Sequence, residues 1–540
     1  MAQASETVAA APSLSTTTSD SLTARPATEG SSTSSALYGT LLALITVFAA
    51  LLRLHDLTAK SFWLDEGLSI DIVRLPWSQF LHVMWTGEAN MALYYLLLRF
   101  WLAIGNSEGF IRGLSVLFSV ATVPLTFSLG ARLFGRRVGL LAALLLAINA
   151  YHIRYAQEAR AYAMVVFFAV LATWIFEKNL QKPSSARWAI YGMVCGLTTY
   201  CHFFGALLVP AHAISLLFWQ RDDVPWRKFA RSFLIFGAMV SPLAIIILRA
   251  GPAHLSWVPP IDSDSFLYFG FHFTGNYGRP LLALDVLAIG SAALGACRAR
   301  RSGQGVSSAW GYALLFSWLV VPVAVVVAAS LVKPIFVPRF LSFCLPALLF
   351  LVAVGISHLR PAALSWALFA AILVCSLLGD RTYYRYDFDL YRQDWRAVTA
   401  YIFDRAHPGD SIFFYYSAGE APFDYYSSQQ KAASLRPKPL QEHWLNTEHD
   451  VNPSDQKLED LVAVPGTNVR AVPPAGDRVW LVLMSLTGNK QEAETARAVS
   501  RWLSNGRPQV DAQSFTPLGV ALFDRNAGGS LSRGSAPPRF

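Results

Sequence analysis

The sequence has few charged residues and few cysteines for a chain of 540 residues. Only 15% of its residues are Asp, Glu, Lys or Arg, whereas soluble domains carry about 25%. None of the cysteines falls in the polar C-terminal region, and they lie in or beside apolar segments, at Cys195, Cys201, Cys297, Cys344 and Cys375. These shortages exclude an ordinary soluble domain and argue against a disulfide framework or a CxxC zinc site.

The chain also lacks a P-loop, a dinucleotide-binding glycine pattern and an internal repeat. Its net charge of +9 predicts no nucleic-acid partner, because much of the arginine lies in short clusters between apolar segments. Residues 1–36 are rich in Ser, Thr and Ala and contain no Lys. They lack the basic region of a signal peptide, so we predict a disordered cytoplasmic tail.

What the sequence has in excess is apolar length. Hydrophobic residues make up 54% of the chain, and segments long enough to cross a bilayer recur from Leu37 to Leu378, which predicts a polytopic α-helical membrane protein. About 11 spans are predicted: Leu37–Leu54, Ile111–Leu133, Gly139–Tyr151, Tyr162–Glu177, Trp188–Phe204, Gly205–Trp219, Ser232–Leu248, Leu281–Cys297, Trp310–Leu331, Phe340–Ser357 and Ala362–Gly379. The arginine clusters then share one side, which the positive-inside rule makes cytoplasmic.

Residues 55–110 are interpreted as the first extracytoplasmic loop, with two helices, Leu68–Trp85 and Met91–Ile104, on the membrane surface. The alternative is that Met91–Ile104 crosses the bilayer. That crossing would reverse every later loop and place the arginine clusters outside, so the surface interpretation is favoured.

Residues 380–540 predict an extracytoplasmic α/β domain. A tyrosine cluster at Tyr383, Tyr384 and Tyr386 suits the membrane interface. Predicted elements follow, with Ala432–Gly476 left unassigned: a helix at Trp395–Ala406, a strand at Ser411–Tyr416, a strand at Arg478–Met484, a helix at Gln491–Leu503 and a strand at Val520–Asp524.

Two adjacent carboxylates, Asp65 and Glu66, directly follow the first span in Ser61–Gly67. Carboxylates at a lipid boundary lose hydration and need compensation. We expect the pair to face a reaction centre at the membrane surface. The alternative is an ordinary solvated pair in a loop.

Other polar groups fall on the same side of the predicted topology. They are Glu88, Asn90, His202, Arg339 and the polar segment His152–Tyr162, which includes Arg154, Glu158, Arg160 and Tyr162. Arg339 could bind a phosphate bidentately or extend to lipid headgroups. For His202, a buried structural role is favoured over a role as a ligand. Glu88 and Asn90 are either loop residues or site residues.

These motifs resemble the bacterial branch of the protein O-mannosyltransferase family, which includes lipid A aminoarabinose transferases and has the GT-C glycosyltransferase fold. The resemblance covers about residues 40–380 and also a tail signature. The similar segments are Trp63–Gly67, Leu93–Leu96, Phe110–Arg112, Arg154–Tyr162, Pro338–Phe340 and Tyr391–Arg396. Glu88–Ala92 departs from the His-Pro-Pro found in many relatives.

The resemblance implies a sugar donor carried on a polyprenyl phosphate, a lipid, glycan or protein acceptor, and reaction on the extracytoplasmic face. It matches Asp65 to the catalytic aspartate and Glu158 to a second acid. Our hypothesis makes Asp65 the base and lets Glu66 and Glu158 orient the acceptor or a metal ion. The remaining roles are phosphate binding by Arg154, Arg160, Tyr162 and Arg339, acceptor or loop roles for Glu88, Asn90 and His152, and a divalent cation at Asp65 and Glu158.

Displacement of the polyprenyl phosphate by the acceptor would invert the anomeric carbon. A transporter or lipid flippase is the main alternative function, and a non-catalytic scaffold is the third. A transporter would place ionisable residues in mid-membrane and carry related repeats. The polar groups here lie instead at span ends on one side, which favours surface chemistry.

Overall fold

The computed structural model describes residues 29–219, 225–250, 258–275, 278–301, 306–386, 393–441, 443–449, 462–463, 470–471, 476–484, 490–515 and 517–527. Residues 1–28 of the predicted tail lie outside the described residues. The first helix begins at Glu29, eight residues before the predicted start of the first span.

The apolar part of the chain is helical throughout its described length. Its helices are α1 (Glu29–Leu54), α2 (Leu64–Arg74), α3 (Trp77–Thr86), α4 (Ala92–Leu102), α5 (Glu108–Phe134), α6 (Arg136–Ala147), α7 (Ala150–Ala156), α8 (Tyr162–Gln181), α9 (Ser185–Cys201), α10 (Leu208–Ser215), α11 (Trp226–Ala250), α12 (Ser263–Thr274), α13 (Arg279–Arg301), α14 (Val306–Ser330), α15 (Leu345–His358) and α16 (Ala362–Tyr386). Short 3₁₀ segments are Glu88–Met91, Phe203–Leu207, Leu216–Phe218 and Pro338–Cys344.

Within the described residues, eight helices are long and apolar enough to cross a membrane, and α6 with α7 would add a ninth as one bent span. The protein is therefore a multi-pass membrane protein, as predicted. Two further predicted spans coincide with α9, which has 17 residues, and with the shorter apolar segment Phe203–Phe218. The number of 11 spans stays a prediction.

The bend of 60° between α6 and α7 is stabilised by a buried arginine from α1. The guanidinium of Arg53 donates to the carbonyl oxygens of Ala147 at 2.8 Å and Leu146 at 3.1 Å. It thereby satisfies carbonyls that the end of α6 leaves open and places a cation at the negative end of the helix dipole. Asn149 then caps α7, because its side chain accepts from the backbone N–H of His152.

The predicted surface helix Leu68–Trp85 is divided into α2 and α3. Pro76 has no backbone N–H and disfavours a helical residue before it, so α2 ends at Arg74 and α3 starts after the proline. The open carbonyls of Val73 and Leu75 accept from Arg99 of α4 at 2.7 and 2.6 Å. Helix α4 has 11 residues and would extend roughly 16 Å, about half of the hydrocarbon core.

The C-terminal region contains the predicted α/β arrangement. A five-stranded sheet has the order β2-β1-β5-β7-β6, with β1 parallel to both β2 and β5, and with β7 antiparallel to both β5 and β6. The strands are β1 (Ser411–Phe414), β2 (Lys438–Pro439), β3 (Val462–Ala463), β4 (Arg470–Ala471), β5 (Arg478–Met484), β6 (Gln509–Phe515) and β7 (Leu518–Asp524), with β3 and β4 forming a separate pair. The helices are α17 (Trp395–Phe403), α18 (Glu420–Ser427), α19 (Trp444–His449) and α20 (Lys490–Leu503). Strand β6 and helix α18 were not predicted.

The C-terminal region holds the beginning of α2 in place. The backbone N–H of Phe62 donates to the hydroxyl of Tyr426 at 2.7 Å, and that of Leu64 donates to Gln393 at 2.8 Å. Helices α2 and α18 approach closely at Gly67, where an added Cβ would lie 2.6 Å from the backbone N of Pro422. Only glycine allows this approach, so the orientation of the Asp65–Glu66 turn depends on the C-terminal region.

Candidate active site

Glu66 forms a buried ion pair that positions the first turn of α2. Its two carboxylate oxygens accept from Nε and Nη2 of Arg112 on α5, both at 2.8 Å, and one of them also accepts from the backbone N–H of Ala159 at 2.8 Å. The side chains of Glu66 and Arg112 are 1% and 3% exposed. This carboxylate is therefore already fully engaged within the protein, in contacts that join α2, α5 and the turn before α8.

Asp65 faces a different environment, because consecutive residues of a helix do not share a face. Its Oδ2 lies 3.6 Å from Nη2 of Arg160 and 3.8 Å from Nη2 of Arg339, and its side chain is 21% exposed. These distances exceed the 2.7–2.9 Å typical of a hydrogen-bonded ion pair. The carboxylate is thus held between two cations without being closed off from a substrate.

Both arginines are oriented by neighbouring groups. Nη1 of Arg160 donates to the hydroxyl of Ser69 at 3.0 Å and reaches the hydroxyl of Tyr95 at 3.4 Å. The guanidinium of Arg339 lies 5.7 Å from the ring centroid of Trp63, a cation–π distance. The two guanidiniums therefore stand beside Asp65 in fixed positions, although their residues come from separate parts of the chain.

The residues of the polar segment before α8 differ in how far their polar groups are already paired within the protein. Arg154 and Glu158 pair with each other, with Nε of Arg154 donating to Oε1 of Glu158 at 3.2 Å, and both are largely buried. The rings of Tyr155 and Tyr162 pack edge to face at 4.8 Å. The hydroxyl of Tyr162 is buried without a hydrogen-bond partner among the described residues, so it is a polar group that a ligand could satisfy.

Asn90 and His202 meet on the neighbouring side. Nδ2 of Asn90 lies 3.4 Å from Nε2 of His202, and Oδ1 of Asn90 accepts from the backbone N–H of Phe203 at 3.0 Å. The His202 ring packs on Phe340, with centroids 4.7 Å apart, next to Arg339 in sequence. These contacts connect the Glu88–Met91 segment to the turn after α9, beside the arginines.

His152 lies in a separate network. Its Nδ1 is 3.0 Å from Nη2 of Arg53 and 3.3 Å from the hydroxyl of Ser119, and the side chain is buried. These contacts join it to α1 and α5 rather than to Asp65. Among the predicted site residues, the structure brings Asp65, Arg160 and Arg339 together, places Glu66 behind them, and assigns His152 to the support of the α6–α7 bend.

Comparison with known proteins identifies the architecture around this site. Residues 91–249 match the family model described as dolichyl-phosphate-mannose-protein mannosyltransferase, while a search of curated protein sequences finds no match. Among solved structures, ArnT from Cupriavidus metallidurans in the apo state is similar with a TM-score of 0.59 at 13% identity, over 92% of this chain and 100% of that chain.

This chain has the GT-C glycosyltransferase fold. ArnT bound to undecaprenyl phosphate gives a TM-score of 0.53 at 12% identity, over 92% of this chain and 99% of that chain. The archaeal oligosaccharyltransferase AglB from Archaeoglobus fulgidus, in complex with an inhibitory peptide and a dolichol-phosphate, gives 0.50 at 11% identity, over 93% and 75%. The predicted resemblance is confirmed, and the match over residues 91–249 supports the predicted enzyme class, a membrane glycosyltransferase.

Several residues around Asp65 are not among the predicted site residues. Arg112 belongs to the similar segment Phe110–Arg112 without a predicted role, and Ser69, Tyr95 and Trp63 are not among the predicted partners of the two arginines. Arg112 has the clearest signal in the sequence. It is an arginine near the start of an apolar helix, and such an arginine needs an acidic partner when it is buried.

The predicted metal at Asp65 and Glu158 is not needed to balance the charges of these residues. Each carboxylate already faces a guanidinium, Glu158 that of Arg154 and Asp65 those of Arg160 and Arg339. Within the described residues, neither carboxylate belongs to a group of three or more side chains close enough to hold an ion. The metal assignment stays a prediction.

Proposed function

We propose that the protein transfers a sugar from a polyprenyl-phosphate donor to a lipid, glycan or protein acceptor at the extracytoplasmic membrane surface. The observation that carries the proposal is one partly exposed carboxylate, Asp65, held 3.6 and 3.8 Å from two guanidiniums within a GT-C fold. Sugar transfer requires a base that takes the proton of the acceptor and a positive charge that stabilises the departing phosphate of the donor.

Each group has a defined task in this reaction. The acceptor hydroxyl or amine gives its proton to Asp65 while its oxygen or nitrogen bonds to the anomeric carbon. The bond from that carbon to the phosphate oxygen breaks, and the polyprenyl phosphate leaves with its electron pair. Attack opposite to the leaving group inverts the anomeric carbon.

The two arginines place the donor phosphate next to Asp65. Both guanidiniums stand within 3.8 Å of the Asp65 carboxylate, so a phosphate that binds Arg160 and Arg339 brings the anomeric carbon close to the proposed base.

Glu66 and Glu158 have supporting roles in this proposal. Glu66 holds the α2 turn through Arg112, so that Asp65 faces the arginines. Glu158 holds Arg154 beside Tyr155 and Tyr162. The unpartnered hydroxyl of Tyr162 is available to the donor phosphate, as the sequence suggested for this residue.

The proposed orientation follows from charge. Arginine clusters such as Arg136-Arg137 and Arg298–Arg301 fall on the side opposite to Asp65 in the predicted topology, which makes the Asp65 side extracytoplasmic. The contacts of Tyr426 with Phe62 and of Gln393 with Leu64 support a position of the C-terminal α/β region on that same side.

A donor panel tests the proposal. Wild-type protein reconstituted in vesicles is incubated with radiolabelled sugars on polyprenyl phosphates of several lengths, with lipid, glycan and protein acceptors present. We expect label from one donor to move to one acceptor class, with release of polyprenyl phosphate. Folded protein that transfers no sugar from any donor would contradict the proposal. Lipid or solute transport would then be tested next, although none of the comparisons supports it.

A further inference from the structure

A second group of ionisable side chains lies at the contact between α2 and the C-terminal region. Glu420 and Asp424 are four residues apart on α18 and share one helix face. His443, just before α19, completes the group. One ligand atom from each of these three side chains lies within 4.8 Å of the others.

The polar atoms of this group are incompletely satisfied within the protein. Glu420 is 4% exposed, and its Oε2 has no hydrogen-bond partner among the described residues. Oδ1 of Asp424 accepts from Arg436 at 2.5 Å. A buried carboxylate oxygen without a donor is costly unless a ligand satisfies it.

The His443 ring is held between two weak contacts. Its Nε2 lies 3.5 Å from Oδ2 of Asp71 on α2, and its Nδ1 lies 3.4 Å from the backbone N of Leu445. Both distances are at the outer limit of a hydrogen bond. Either ring nitrogen can therefore give its lone pair to an ion after a small movement. Asp71 also accepts from the indole of Trp444 at 2.8 Å, which keeps this carboxylate beside the ring.

Negative charge is in excess at this contact. The carboxylates of Asp71, Glu420 and Asp424 face the guanidiniums of Arg436 and Arg74. Three carboxylates therefore face two guanidiniums, and a divalent cation would offset the excess of negative charge.

We propose that Glu420, Asp424 and His443 bind a divalent transition-metal ion, with Asp71 orienting the histidine. Two carboxylate oxygens and one imidazole nitrogen form a donor set that suits Zn²⁺, and Mn²⁺ is the next candidate. A carboxylate next to a metal-binding imidazole is a usual supporting contact. The side chains of His443 and Asp424 are 15% and 27% exposed, so an ion can enter from solvent.

The position of the site gives it a structural role. Its three ligands belong to the C-terminal region, whereas Asp71 lies on α2, six residues after Asp65. A bound ion would therefore strengthen the contact of α18 and α19 with the helix that carries the proposed base. This metal site is separate from Asp65 and does not depend on the proposed sugar transfer.

Metal binding to the full-length protein tests the proposal directly. Protein purified in detergent without a histidine tag is stripped with EDTA, freed of chelator and titrated with ZnCl₂, then in a second series with MnCl₂. Bound metal per chain is measured by mass spectrometry after gel filtration. We expect one Zn²⁺ per chain and an increase in the thermal unfolding midpoint.

Matched variants locate the ion. Glu420→Gln and the milder, partly exposed His443→Gln should each weaken Zn²⁺ binding by at least about tenfold and abolish the thermal shift. Asp404→Asn changes an exposed carboxylate of the same region and should bind zinc like wild type. Asp65→Asn should also retain the ion.

Three outcomes would overturn the proposal. They are no retained Zn²⁺ or Mn²⁺ in wild-type protein, unchanged binding in both Glu420→Gln and His443→Gln, or loss of the ion in Asp65→Asn alone. The last result would assign the metal to the proposed transfer site. A normal gel-filtration profile for His443→Gln keeps the test informative if Glu420→Gln fails to fold.

Discussion

Neutralisation of the adjacent carboxylates Asp65 and Glu66 should lower the stability of the protein to very different extents. Glu66→Gln removes one charge from a bidentate pair in which both side chains are at most 3% exposed. Arg112 would then remain buried without a counter-charge, and breaking a buried pair in this way costs about 3–5 kcal/mol of unfolding free energy. Asp65→Asn loosens contacts of 3.6 and 3.8 Å at a partly exposed site, which costs about 1 kcal/mol or less.

Thermal unfolding in detergent, followed by tryptophan fluorescence, measures this difference. We expect a clearly lower unfolding midpoint and a lower yield for Glu66→Gln, with a midpoint close to wild type for Asp65→Asn. The double variant Glu66→Leu/Arg112→Leu should be more stable than the sum of the single changes predicts, with a coupling of about 0.5–3 kcal/mol.

Wild-type stability of Glu66→Gln would refute the reasoning, because the carboxylate could not then be the counter-charge of Arg112. Additive effects of the two leucine substitutions would refute it as well. A stable but inactive Glu66→Gln would instead assign Glu66 a direct part in the transfer reaction.

Two further predictions concern the neighbours of this turn. Gly67→Ala places a Cβ 2.6 Å from Pro422 and should lower the unfolding midpoint by an amount equivalent to about 1–3 kcal/mol. The control Gly237→Ala has open space around the added Cβ and should be neutral or stabilising. Equal effects of the two substitutions would contradict the close approach of α2 and α18. Arg339→Gln removes a proposed charged contact to the donor phosphate that contributes about 1.5–3 kcal/mol. The kcat/KM for the donor should therefore fall roughly 10- to 150-fold, and Arg339→Lys should recover part of the loss. An unchanged kcat/KM would show that Arg339 does not bind the phosphate.

Much of the membrane region could be predicted, because the length of an apolar segment can be read directly from consecutive residues of the sequence. Each predicted span has a helix or apolar segment at its position, and α5 and α8 begin within three residues of the predicted starts. The break at Pro76 was visible in the sequence, but the apolar spacing on either side of the proline outweighed it in the predicted helix Leu68–Trp85.

Pairing was harder to predict, because it joins residues that are distant in sequence. Arg112 lies 46 residues after Glu66, and His152 lies 99 residues after Arg53. Topology placed the polar groups on one side, which was enough to group Asp65 with Arg160 and Arg339. It could not separate Glu66 from Asp65, since that difference depends on which helix face meets α5.

The C-terminal region shows the same limit. Strand β5 was predicted with its observed bounds, because the continuous apolar segment Val479–Met484 after Arg478 suits an interior strand. Helix α18 was missed because it is short and contains Pro422. The group of Glu420, Asp424 and His443 could therefore not be recognised without the fold that brings α18 next to α19.

Asp65 is proposed to remove the acceptor proton, and the rate of sugar transfer by Asp65→Asn measures this role. Transfer is measured in vesicles with the donor found active for wild type, and Asp56→Asn serves as the control. Asp56 is a half-exposed carboxylate in the same loop, and its positive φ of 53° is one that Asn tolerates.

We expect Asp65→Asn to retain its thermal midpoint but to lose transfer by about 10²–10⁴-fold, the contribution of a general base, while Asp56→Asn transfers like wild type. Transfer by Asp65→Asn at the wild-type rate, in protein that is folded and binds donor, would contradict the assignment of the base.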